Sequence, residues 1–552
     1  MQGLPFRGHD ESEESLNQGN FLEFLKVISS CNEEIASVVL KNAPDNLKLT
    51  SPDIQRDIIN AFAVETTKAI VHDMRSEFFS ILVDECRDVS VKEQMGVVVR
   101  YVDKNGCVIE RFLGVVHVSD TTATSLEKAL DYLLSTYDLS ISSLRGQGYD
   151  GASNMRGEFN GLKSLILKRN SSAYYVHCFA HQLQLTIVAV AKKHKIVGSF
   201  YNSISRLCNT VGGSCKRRDI LREKQRENII KEIASDEIST GRGLNQELCG
   251  ENGHDDSIRV EADDVLEIIN SFEFVFVLHL MKQILGITHE LSQVLQKKDQ
   301  DIVNAMNLVK VAKSRLQIMR EKDWDVLLAD VSKFCSKYEL DVLDMEDEFV
   351  ARKKGRRRAE KMKNLHYYRV ELFCSVIDLQ AQELNQRFDE VNTDLVLCMS
   401  CFDPRDLFSA FDLEKLLRLA RYYPSEFSEV ALSELKSQLE NFIFDVRIDE
   451  KFSQISGISG LAQKMVSTRK HEVFPMVYSL VKLSLILPVA TASVERAFSA
   501  MKIIKTSLRN SMGDQLLNDC LVPYIEKDVF VKVTNETIMQ RFQKMNNRRQ
   551  ML

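Results

Sequence analysis

The chain has 552 residues, 44% of them hydrophobic and 27% charged, with only 23 Gly and 8 Pro, which excludes collagen-like, linker-rich and broadly disordered classes. Lys and Arg number 72 against 78 Asp and Glu, a balance of −6, so net charge alone supplies no affinity for nucleic acid, although a local basic patch can. No run of about 18 apolar residues is present to span a membrane. Twelve Cys at irregular spacing, behind a polar N-terminus without a signal-like apolar core, point to a reducing compartment.

Residues 1–20 are polar and are expected to be disordered. A helical segment over 21–77 follows. Its first helix has apolar positions at Phe21, Leu22, Phe24, Leu25 and Ile28. Its second is signalled by Ser51 as N-cap and Pro52 at the first helical position, ahead of Ile54, Ile58, Ile59 and Phe62.

Between 78 and 196 the pattern changes to strands alternating with helices. FFSILVDE is a short apolar run ending in acids, as in a buried central strand. MGVVVRYV and CVIERFLGVVHV are β-rich and joined by a KNG turn. TSLEKALDYLLSTYD has helical spacing, with Thr124 or Ser125 as its cap. LRGQGYDGASNMRG holds a strand and a turn, NGLKSLILKR a helix, AYYVHC a strand and HQLQLTIVAVAKK a helix. The expected fold class is therefore α/β plus all-α, with a mixed sheet.

From 197 to 480 the reading is nearly all helix, broken by an acidic, Gly-bearing loop at 235–264 and a basic loop at 352–363. The region 430–530 contains the most apolar stretch, which Pro488 divides into two helices; 531–552 form a tail.

Several side chains can carry chemistry. Asp84, followed by Glu85 and Asp88, sits at the end of a buried strand, where a carboxylate suits a hard cation or simply ends the strand. Asp150 stands among Gly146, Gly148 and Gly151, either as a metal ligand or as a cap for the following helix. GQGYDG matches GxGxxG, but no acid near residue 170 is placed to hold a ribose, and no Lys-Ser/Thr follows to make a phosphate loop. Cys178-x-x-His181 and Cys398-x-x-Cys401 are each isolated, which favours packing and hydrogen bonding over four-ligand zinc. Glu495 lies on an apolar helix, with Arg496 as its nearest cation. Arg352, Lys353, Lys354, Arg356, Arg357 and Arg358 form either a phosphate-contacting run, a nuclear import signal or a solvated loop.

Taken in order, strand-Asp84, GQGYDGASNM, VHCFAHQLQL and PVATASVERAFSAMKIIKTSLRN resemble the hAT superfamily of transposases, over about residues 5–550. In particular they resemble the plant transposase-derived proteins called zinc finger MYM-type protein 1-like, which often carry a TTF-type zinc finger. The resemblance implies an RNase H-like mixed sheet interrupted by a long helical insertion and completed by a C-terminal hAT dimerisation region. It implies an acidic triad of Asp84, Asp150 and Glu495 that would hold Mg2+ or Mn2+ for DNA strand cleavage and transfer. Arg496 would orient Glu495, with Cys178 and His181 as neighbours. Two departures count against transposition: no finger precedes the core in these residues, and GRGLNQ (241–246) runs into a segment without Trp, the single Trp324 lying about 80 residues on.

The expected function is thus a transposase-derived protein that no longer transposes and acts in the nucleus as a DNA-associated or interaction protein. The alternatives are an active Mg-dependent DNA transposase and, behind it, an RNase H-like nuclease. The expected partners are a second copy, through Val477, Leu480, Leu483, Leu487 and Phe498, and DNA, weakly and without sequence preference; no membrane is expected.

Overall fold

Runs of β-branched and aromatic residues between 79 and 117 build half of a sheet: β1 (Phe79–Arg87), β2 (Glu93–Val102) and β3 (Val108–His117) are consecutive antiparallel strands. The turn between β2 and β3 closes at Gly106, whose φ of +79° suits glycine, and the Cys107 amide donates to Asp103 Oδ1 at 2.7 Å. Two parallel strands, β4 (Leu144–Tyr149) and β5 (Tyr174–His177), extend the other edge, for an order β3-β2-β1-β4-β5. The computed structural model describes residues 2–74, 78–234, 264–350, 362–388 and 393–545. The basic run from Arg352 to Arg358 and nearly all of the acidic segment 235–264 lie outside the described residues.

The helices that pack on this sheet, pack on those helices or lead away from the sheet are α1 (Pro52–Met74), α2 (Ala123–Thr136), α3 (Leu162–Arg169), α4 (Phe179–Lys193), α5 (Glu429–Ile448), α6 (Pro475–Ile486), α7 (Ala492–Ile504), α8 (Asp514–Ile525) and α9 (Asn535–Met545). The cap of α2 is Thr122, whose hydroxyl accepts from the Ser125 amide, two or three residues earlier than Thr124 or Ser125. Alternation along the strands sorts side chains to two faces. Ile81, Val83, Val97 and Val99 pack with Leu126, Leu130 and Leu133 of α2 and with Ile70 and Met74 of α1. Leu82, Val98 and Phe112 pack instead with Val494, Phe498 and Met501 of α7 and with Leu517 and Leu521 of α8. Each such fully buried side chain contributes about 1.5–3 kcal/mol.

The chain divides into two units. The sheet unit comprises Met1–Gln182, Ser292–Leu308 and Asp389–Leu552; the other comprises Leu183–Leu291 and Val309–Phe388. The helical interruption is therefore shorter than 197–480, because 292–308 and most of the stretch after 388 belong with the sheet. The second unit is helical, around an aromatic core in which Trp324 packs on Phe276 and Phe373 at ring separations of 5.9 and 5.6 Å. The helix Phe272–Leu295 is long and apolar enough to cross a membrane, with a mean hydropathy of 1.2. Its Phe272, Val275, Phe276, Leu280 and Ile284 are buried against protein, which accounts for that composition.

Residues 2–19, expected to be disordered, form no helix or strand but are held to the sheet unit. Phe6 stacks on Phe21 at 5.1 Å, Gln55 donates to Glu11 at 3.1 Å, and Arg509 donates to the Gly3 carbonyl at 3.0 Å.

Candidate functional site

Strand register sets two acids side by side. β1 and β4 run parallel with Leu82 opposite Gly148, and each strand reaches an acid two residues further, Asp84 on one and Asp150 on the other. Both lie beyond the carboxyl end of β4, where the crevice of an open α/β sheet forms. Asp84 shares a face with Leu82, the face covered by α7.

The third acid arrives by packing. Asp84 pairs across the antiparallel ladder with Gly96, and a Cβ at Gly96 would fall 2.9 Å from Val494 and 3.1 Å from Phe498. The missing side chain lets α7 lie directly on the strand, and Glu495 follows Val494. Upstream, α7 is stitched to the β5–α4 junction: the Thr491 amide and hydroxyl both donate to Cys178 Sγ at 3.3 Å, and the Phe179 amide donates to the Val489 carbonyl at 2.9 Å. Cys178 is buried, and burial pushes its thiol above the ordinary range. It acts as a packing and hydrogen-bonding group that returns a helix 313 residues distant in sequence to the sheet. His181 follows on α4, its ring 5.7 Å from that of His177.

The acids feel one another. Burial raises Asp84 to about 7, and the charges of Asp150 and Glu495 push in the same direction, against a hydrogen bond from the Glu85 amide. Glu85, marked in the amino-acid order only by its adjacency to Asp84, is also raised to about 7, by burial and then by Asp150, while Asn154 donates to it at 2.9 Å. Asp150 Oδ1 accepts from the Ala152 amide at 3.1 Å, closing the turn after β4. Asp88 is elsewhere: it is buried in an ion pair with Lys505 at 2.8 Å, fastening the β1–β2 turn to the end of α7.

The donor set suits a hard divalent cation in kind, because three carboxylates share one field and a cation would relieve their repulsion. The side chains are not gathered into a ligand cage: among the described residues, no three His, Cys, Asp or Glu side chains group closely enough to hold a metal ion. Cys398 and Cys401 are likewise buried free thiols.

Other expected residues have different tasks. Arg496 donates to Ser493 Oγ at 2.7 Å and to the Gln296 carbonyl at 3.4 Å, so it anchors the start of α7 instead of gripping Glu495. Ser493 in turn donates to Glu110, which is ion-paired with Arg100 at 2.7 Å. Gly146 and Gly148 are packing positions: a Cβ at Gly148 would meet Pro488 at 2.8 Å, and one at Gly146 would meet Leu487 at 3.1 Å. The spacing that imitates a dinucleotide loop thus makes room for the Leu487–Pro488 bend. Val477, Leu480, Leu483, Leu487 and Phe498, expected to face a second copy, are all buried within the chain, which corrects that expectation. Apolar periodicity reports burial and does not say against which molecule.

A five-stranded mixed sheet is thus covered by a C-terminal helix that carries Glu495 and lies beyond a helical interruption in the chain. Residues 1–161 match the family described as ZMYM1/FAM200, RNase-like domain, and residues 464–529 match the hAT family C-terminal dimerisation region. In these two segments the chain is similar to hAT-derived proteins. It is similar over 96% of its length to the 52 kDa repressor of the inhibitor of the protein kinase, from Homo sapiens at 21% identity and from Mus musculus at 22%, covering 72% and 73% of those proteins.

Proposed function

We propose that this chain is a transposase-derived protein that self-associates, no longer transposes, and acts in the nucleus as a DNA-associated or interaction protein. The observation that carries the loss of transposition is the position of Trp324, the only Trp: it is 5% exposed in the aromatic core of the helical unit and has no face to offer a DNA end. Self-association is supported by the dimerisation-region match at 464–529. A regulatory role is supported by two relatives whose name describes a repressor. DNA contact rests on the composition of the basic run 352–363 and is weak and sequence-independent on this reading. The test is cleavage of a labelled DNA duplex with Mg2+ or Mn2+ present. No product above that of Asp84→Asn is expected, and metal-dependent nicking that this variant abolishes would overturn the reading.

One observation favours the alternative of an active enzyme. Asp150 and Glu495 both raise Asp84 through their charge, so the three acids would hold Mg2+ or Mn2+ if closed together. The bound metal would supply Lewis-acid activation of a phosphodiester. A Mn2+ titration read by electron paramagnetic resonance separates the two readings. Tight sites weakened in both Asp84→Asn and Asp150→Asn support the enzyme; equal weak binding in all three proteins supports a silent core.

A further inference from the structure

Within the helical unit, the helix Cys215–Ala234 has no buried side chain from Cys215 to Glu227; each is exposed or half-buried. Packing against the chain therefore does not account for its composition. Of residues 216–227, six are basic and three acidic, in a chain whose balance is −6.

The two signs are sorted around the helix axis. At about 100° per residue, Arg218, Arg222 and Arg226 stand in one row and Asp219, Glu223 and Glu227 in another, with four residues between like charges. Like charges at that spacing repel, and a helix stabilised by its own ion pairs mixes signs along each row instead. Arg217 and Lys224 extend the basic side, so that it covers about 200° of the circumference. The acids lie roughly opposite its centre, with Lys216 the one cation among them. Arg222 meets Asp219 across the boundary at 3.7 Å. Among the described residues, Arg217, Lys224 and Arg226 take part in no ion pair, and Arg217 Nε, shielded from water, has no hydrogen-bond partner.

The basic side has two flanks. Arg217 and Lys224 mark one, Arg222 and Arg226 the other, with Leu221, 44% exposed, and Gln225 between them. The flanks of an α-helix with its side chains are about 10–12 Å apart, and the major groove of duplex DNA is about 12 Å wide between its two phosphate rows. We propose that this face seats in the major groove of duplex DNA, one flank on the phosphates of each strand. Asp219, Glu223 and Glu227 point away from the phosphates and exclude the opposite orientation. The proposal rests on the reading that the chain is DNA-associated, and gives that contact a surface separate in sequence from the basic run 352–363.

The test is fluorescence anisotropy of a labelled duplex titrated with the full chain at several salt concentrations. Arg217→Ser/Lys224→Ser/Arg226→Ser is expected to lower the affinity about tenfold or more at low salt. It should also reduce the slope of log affinity against log salt by about 2–3. Lys310→Ser/Lys322→Ser/Lys333→Ser removes the same charge from exposed positions on other helices and is expected to bind as the wild type does. Arg217→Lys/Arg226→Lys keeps the charges and should keep the slope. Circular dichroism should be the same throughout, because no substituted side chain is buried. An unchanged slope in the first variant, or an equal loss in the first two, overturns the docking face and leaves DNA association to another surface. A wild type that does not bind the duplex at low salt overturns the DNA-associated reading along with it.

Discussion

Asp84 illustrates how a folded environment changes one carboxyl group. Its ordinary value is 3.8 and it is raised to about 7, so between those values the folded chain binds a proton that the unfolded chain has released. Stability from this group is therefore lost as pH rises through that window. Asp84→Asn removes the ionisation cost, and we predict a gain of about 1–3 kcal/mol at pH 8 that disappears near pH 4, read by urea unfolding at both values. An unchanged difference across pH would show that Asp84 is solvated. Gly96 makes the opposite point, since its function is to be absent. Gly96→Val should cost about 1–3 kcal/mol, because Val494 and Phe498 already occupy the space; equal denaturation midpoints would mean that α7 has room to shift.

Between elements, the sheet is tied to its covering helices by buried polar groups as well as by apolar contact. Arg100 on β2 donates to Glu110 on β3, to the Leu485 carbonyl at 3.1 Å, and to the carbonyls of Lys298 and Gln300 at 2.9 and 2.6 Å. Both charged side chains are almost fully buried. Removing one partner strands the other, so Arg100→Met should destabilise by about 3–5 kcal/mol, and adding Glu110→Gln should recover part of that loss. A double-mutant cycle with no coupling would show the two groups to be independent. The Cys178–Thr491 contact is weaker in energy but fixes where α7 begins, and hence where Glu495 stands.

For the whole molecule, the prediction on nucleic acid belongs to the basic run. Replacing Arg356, Arg357 and Arg358 with Ser should reduce the affinity for duplex DNA and flatten its dependence on salt, measured by fluorescence anisotropy at several ionic strengths. Affinity unchanged by the substitution would assign DNA contact to another surface. Limited proteolysis should cut first within 235–264, where the composition offers no core-forming pattern. A first cut elsewhere would mean that this segment is protected.

Local chemistry made the strands, the turn at Gly106 and the neighbourhood of Asp84 and Asp150 legible in the amino-acid order, because strand formation and strand-end acids depend on residues close together in the chain. Glu495 was legible only through the ordered set of motifs, since periodicity alone marks it as a surface Glu on an apolar helix. Arg496, Gly146, Gly148 and the five apolar residues from Val477 to Phe498 took meanings that no local pattern carries. Tertiary packing decided that the glycines admit Leu487 and Pro488, that Arg496 anchors Ser493, and that the apolar stretch fills the core of its own chain. The physical reason is that hydrophobic burial is non-directional: sequence determines which residues leave water, and only the folded backbone determines what they meet.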